Sequence, residues 1–244
     1  MLKAVTFDYW NTLFVDVHGQ DRERRRAEIL RAELEARGRE VSQTALHEAQ
    51  WAGFDFFDRV WIGEHRTPSC GELVDSILAV LGARLPEDAR ERLVDRFELL
   101  VLDLPPEPMP GAVYALPLLA ERYRLAVVCD TGYSPGSALR EVLKRNGMLA
   151  YFEYLYFSNE HGMSKPDVRV FRRTLAALHV RAPEAAHVGD IQRTDIAGAQ
   201  AAGMAAVHFI GANNHDAGRS TADLIVRHFD ELPAALGGLT CAGC

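Results

Sequence analysis

Short apolar runs that end in acidic or small polar residues recur along the chain. The first covers residues 3–7 and stops at Asp8. Others fall at 125–129, 152–157, 186–188 and 205–210. Between them the apolar positions follow a helical period. That pattern predicts helices at 135–146, stopped by Gly147, and at 168–178 and 195–202. Strands alternating with helices predict a parallel sheet covered on both faces.

From about residue 20 to 104 the strand signal disappears and four helices are expected. Ala27, Leu30 and Leu34 share one helical face. Ser42 and Ser69 are N-cap candidates, and Pro86 suits the start of a fourth helix. The segment 104–111 holds four prolines and a glycine and reads as a stiff connector. The chain is therefore expected to be a Rossmann-like α/β core, residues 1–14 and 110–244, with a four-helix cap inserted at 15–109. The second cap helix carries Trp51, Phe54, Phe56, Phe57 and Trp61. These aromatics are expected to form the insertion's own core, with one or two also closing over a substrate.

Composition narrows the function. The chain has 244 residues, 48% of them apolar, and a net charge of −7. Apolar stretches are too short for a membrane span or a leader, so a cytoplasmic protein is expected. The arginines between Arg22 and Arg39 are interleaved with acids and read as a solvated helix face, not a nucleic-acid surface. Cys129 reads as a small core residue. Cys241 and Cys244 form a CxxC without a second pair, a tail rather than a zinc site.

Ligands of doubly wound sheets bind beyond the carboxyl ends of the strands. There this chain places Asp8-Tyr-Trp10-Asn-Thr12, Asp130-Thr131-Gly132, Ser164-Lys165-Pro166-Asp167 and Gly189-Asp190 followed by Asp195. Carboxylates, an amine, hydroxyls and glycine turns suit metal-assisted phosphoryl transfer. The ordered set resembles the haloacid dehalogenase-like hydrolase superfamily, in the subgroup with a helical cap after the first strand. The resemblance implies that Asp8 is nucleophile and Mg²⁺ ligand, that Thr12 shapes the first loop, and that Thr131 and Gly132 contact substrate. It implies that Lys165 holds nucleophile and phosphoryl group together. Asp190 would be a metal ligand, Asp195 its companion, and the backbone of Trp10 a further metal contact.

One position departs from the superfamily's phosphatases. They carry a proton-transferring aspartate two residues after the nucleophile, where this chain has Trp10. An indole moves no proton near neutral pH. Three readings stay open. The first is Mg²⁺-dependent hydrolysis of a small phosphorylated metabolite through an aspartyl intermediate, with a good leaving group or another acid among Asp16, His18 and Asp130. The second is metal-independent 2-haloacid dehalogenation, against which the last motif argues. The third is a binding or regulatory protein on this fold. Oligomeric state is left open.

Overall fold

The structure is a computed structural model and describes residues 1–239; Cys241 and Cys244 fall outside them. Strand β1 (Ala4–Phe7) leads through Asp8 to a short strand β2 (Phe14–Val15). Helices α1 (Gly19–Glu35), α2 (Gln43–Glu64), α3 (Cys70–Val80) and α4 (Glu87–Asp103) follow, then strand β3 (Glu107–Pro108). The remainder alternates: α5 (Ala112–Ala120), β4 (Arg124–Cys129), α6 (Gly136–Arg145), β5 (Phe152–Phe157), α7 (Ser158–His161), α8 (Val168–Ala177) and β6 (Ala185–Gly189). It closes with α9 (Ala197–Ala201), β7 (Ala205–Phe209), β8 (Leu224–Val226) and α10 (Leu232–Gly238).

Six strands form a parallel sheet in the order β5-β4-β1-β6-β7-β8. This is the doubly wound Rossmann order, and the winding reverses between β1 and β6. Alternation along β1 explains the layers. Val5 and Phe7 join the core beneath α5, α6 and α10, whereas Ala4 joins the core beneath α8 and α9. A sheet buried on both faces demands the near-continuous apolar strands seen in the sequence.

The four-helix cap has a separate core that includes Ile29, Leu30, Leu34, Val74, Ile77, Phe97 and Leu100. Chain leaves and re-enters the sheet side by side, because β2 and β3 pair antiparallel. That ribbon replaces the plain connector expected from the prolines. Its signal was lost because two-residue strands show no periodicity. Both serine caps form: Ser42 accepts from Ala45 N–H at 3.2 Å, and Ser69 and Glu72 make a reciprocal capping box. Pro86 occupies the N-cap of α4, one position before the first turn.

No helix among the described residues is long and apolar enough to cross a membrane. The capping box gives a simple stability test. Ser69→Ala should cost about 1 kcal/mol, read as a lower urea midpoint with an unchanged denaturant slope.

Candidate active site

The winding reversal sets the site. Asp8 follows β1 and Asp190 follows β6, and the Asp8 N–H donates to Val188 O at 2.9 Å. The two adjacent strand ends therefore place two carboxylates side by side. The chain after Asp190 turns through a π-helical segment at Gln192–Ile196, which carries Asp195 back over the strand end. Asp195 is thus not the N-cap of a regular helix. Its Oδ2 instead accepts the Ile191 N–H at 3.0 Å. Gly189 permits this return, because a Cβ there would lie 2.3 Å from Asp195 Cγ.

Lys165 reaches the cluster from the loop before α8. Its Nζ donates to Asp8 Oδ1 at 2.5 Å and to Asp195 Oδ1 at 2.7 Å, and only 2% of the residue is exposed. Asp195 also meets His187 Nε2 at 3.0 Å, and the other nitrogen of that ring meets Thr6 Oγ1 at 2.7 Å. Asp8, Asp190 and Asp195 offer oxygens within 4.8 Å of one another. Three buried carboxylates therefore surround one amine, which donates to Asp8 and Asp195 but not to Asp190.

Their titration follows from that imbalance. Burial disfavours charge on Asp195, but Lys165 and His187 outweigh it and hold the carboxyl below its usual range. Burial raises Asp8 well above the carboxylate range despite Lys165, and the charge of Asp195 adds to the rise. Burial and the charge of Asp195 push Asp190 up to about 7. Burial also opposes the Lys165 charge, yet Asp195 and Asp8 raise its amine well above the ordinary value.

The cavity above this cluster measures about 300 Å³. Its floor is Asp8, Asp130, Lys165, Asp190 and Asp195; Trp10, Gly132 and Tyr133 form part of the wall; Phe54, Phe57 and Trp61 of α2 form the roof. Trp61 Nε1 donates to Asp130 Oδ2 at 2.9 Å, tying roof to floor.

A family profile for haloacid dehalogenase-like hydrolases matches residues 2–203. The chain belongs to this family of hydrolases. Phosphoserine phosphatase of Thermus thermophilus is 41% identical over 88 residues, 36% of this chain and 35% of that protein. Across the first curated relatives the matches span 35–42% of their length. A 2-haloacid dehalogenase from Pseudomonas syringae pv. Tomato DC3000 superposes with a TM-score of 0.73 at 25% identity, covering 97% of this chain and 99% of that one. A HAD phosphatase from Thermococcus onnurineus gives 0.65 at 25% identity, with coverage of 97% and 99%.

Within this haloacid dehalogenase-like site, Asp8, Trp10, Gly132, Lys165, Asp190 and Asp195 come together around one cavity. Thr131 and Thr12 do not line it. The Thr131 hydroxyl is fully buried, 3.0 Å from Ser158 Oγ, and accepts the Asn159 N–H at 3.2 Å. Asp130, one residue earlier, lines the cavity instead. Asp130 accepts the Lys165 N–H at 3.0 Å through Oδ1, and burial raises its carboxyl. Thr12 is likewise fully buried, with its hydroxyl unpartnered.

Two further expectations are corrected. Phe54, Phe57 and Trp61 line the cavity, Phe54 also borders the cap-core residues Leu30, Ile77 and Phe97, and Trp51 is exposed. The arginine-rich face of α1 is not wholly solvated: Arg22 and Arg26 are buried and line the cavity. Asn213 escaped notice in the sequence, yet its Nδ2 donates to Asp190 Oδ2 at 2.8 Å. No motif marks it, because a loop far along the chain supplies it.

The amine between the carboxylates yields a test. Lys165→Met leaves Asp8 and Asp195 facing each other without a cation, and should lower stability by about 3–5 kcal/mol in urea titration at pH 7. Recovery of part of that loss at pH 5 would follow from protonation of the freed carboxylates.

Proposed function

We propose that this hydrolase is Mg²⁺-dependent and cleaves a small phosphorylated metabolite through an aspartyl intermediate on Asp8. One observation carries the metal: Asp190 Oδ1 is buried with no hydrogen-bond partner, beside Asp8 and Asp195. An orphaned carboxylate oxygen in an oxygen-only cluster is the donor set of a hard divalent cation. Asp8 and Asp190 would hold it directly. Asp195 already accepts from Lys165, His187 and the Ile191 N–H, so its role is to fix the lysine and the turn. Bound Mg²⁺ supplies the positive charge that keeps Asp8 ionised and neutralises phosphoryl oxygens.

The rest is done by the chain. Asp8 Oδ1 is held by Lys165, leaving Oδ2 without a hydrogen bond among the described residues. That oxygen attacks phosphorus in line; a P–O bond forms to Asp8 as the bond to the leaving oxygen breaks. Lys165 compensates the charge that grows on the phosphoryl oxygens. Water then cleaves the acyl phosphate and restores Asp8. Trp10 lies in the cavity wall, its ring against Tyr9 and 5.6 Å from the Arg22 guanidinium carbon. No acid stands there, so leaving groups that depart as anions are favoured, acyl phosphates above alkyl monoesters.

The second reading is metal-independent dehalogenation. The likeness to the Pseudomonas syringae dehalogenase and the absence of an acid at Trp10 favour it, since a halide leaves without a proton. The orphaned Asp190 oxygen weighs against it.

Phosphate release from acetyl phosphate with Mg²⁺ tests the proposal. It should fall to the buffer rate in Asp8→Asn and in EDTA, and alkyl monoesters should react about 10²–10⁴ slower than acetyl phosphate. Chloride release from 2-chloropropionate in EDTA would overturn it in favour of the second reading. The Asp190 proton gives an independent check. Its folded pKa lies above the unfolded carboxyl, so without metal its contribution to stability falls as pH rises from about 4 to about 7. Mg²⁺ must displace that proton, so the rise in Tm on adding Mg²⁺ should be larger at pH 8 than at pH 6. Equal shifts would place the ion elsewhere.

A further inference from the structure

Helix α1 turns one face to the cavity: Gly19, Arg22, Glu23 and Arg26, spaced as neighbours along a helix. Arg22 is already engaged. It donates to Leu104 O at 2.7 Å and to Asp16 Oδ1 at 2.5 Å. Arg26 is not. The residue is 7% exposed, its Nε has no hydrogen-bond partner, and no carboxylate lies within ion-pair distance among the described residues. Its one close partner is the face of Tyr133, 4.1 Å from the guanidinium carbon. Burial lowers its pKa to about 10, which leaves it a cation at neutral pH.

A buried guanidinium without an acceptor is costly, and its planar fork matches a carboxylate or phosphate edge. Glu23 shares the cavity wall but makes no bond to it, so the Arg26 donors stay free for a ligand. Phe54, Phe57, Trp61 and Tyr133 line the same cavity as Arg26 and the acidic cluster. The cavity thus combines a reacting-group site on the sheet with aromatic walls and a cationic face of α1 from the cap. At about 300 Å³ it sits at the small end of ligand pockets.

We propose that Arg26 anchors a second oxyanion of the substrate, a carboxylate or a further phosphate, remote from the group that reacts at Asp8. The substrate class is then a small dianionic-ended metabolite. This deepens the hydrolase reading and rests on it only for the nature of the reacting group.

Binding and turnover separate the two. In an Asp8→Asn background, fluorescence of Trp10 and Trp61 reports occupancy of the cavity they line. The probes are ethyl phosphate, phosphoglycolate and ethane-1,2-diol bisphosphate, which differ only in the distal group. Phosphoglycolate or the bisphosphate should bind about tenfold or more tighter than ethyl phosphate. Which of the two binds tighter identifies the distal anion. Adding Arg26→Met should abolish that preference and leave ethyl phosphate binding unchanged, and Arg26→Lys should restore part of it. The Arg26→Met chain is expected to keep its Tm, because an apolar side chain replaces an unpaired buried charge. Equal affinities for all three probes, or equal losses in Arg26→Met, would overturn the anchor. Preference in binding with no phosphate release by the Asp8-containing protein would instead remove the hydrolase reading and leave the anchor standing.

Discussion

A single buried amine organises the site. Lys165 lies between Asp8 and Asp195 at 2.5 and 2.7 Å, and both carboxylates are out of bulk water. Burial, then the charge of Asp195, raises Asp8 and Asp190, whereas Lys165 and His187 hold Asp195 below its usual range. That unbalanced cluster is stable only because the backbone imposes it. The adjacency of β1 and β6, the return of the chain past Gly189, and His187 wedged between Thr6 and Asp195 all hold carboxylates where they would not settle freely.

The cap completes what the sheet begins. It is joined to the core by the β2–β3 ribbon, by the Ser164 N–H donating to His65 O at 2.8 Å, and by the Trp61–Asp130 bond at 2.9 Å. Tyr133 comes from the core, yet its ring packs against Phe97 of the cap's core and carries Arg26 on its face. Floor chemistry and cap selectivity are therefore linked through a few side chains. Arg193 of the floor loop, stacked 4.4 Å from the Trp61 ring, adds to that link. Cap residues thus line the cavity that holds Asp8 without bonding to its carboxylate.

Trp10 changes the balance between attack and departure. It fills the position from which a relative would donate a proton and closes the wall under Arg22 with an apolar ring. On the proposed reading, attack by Asp8 needs nothing from this position, whereas departure lacks the acid it would supply; Asp16 and Asp130 line the same cavity. Both proposed chemistries accommodate that ring, and the orphaned Asp190 oxygen is the observation that favours the first.

The sequence determined the sheet, the inserted helices and the acidic loops at the strand ends, because burial imposes periods of 2 and 3.6 and turns demand particular residues. Asp8, Lys165, Asp190 and Asp195 were legible since each ends or follows an apolar run in a fixed order. Tertiary structure alone decided the rest. Asp130 lines the cavity while Thr131 turns to Ser158 and Asn159, contacts that exist only once the segment after β5 lies beside this loop. Phe54, Phe57 and Trp61 became a roof, and Arg22 and Arg26 became lining, because an amphipathic helix states which residues share a face but not what that face meets. Asn213 and His187 joined the site across many residues of chain, and their contacts exist only where the fold brings distant segments together.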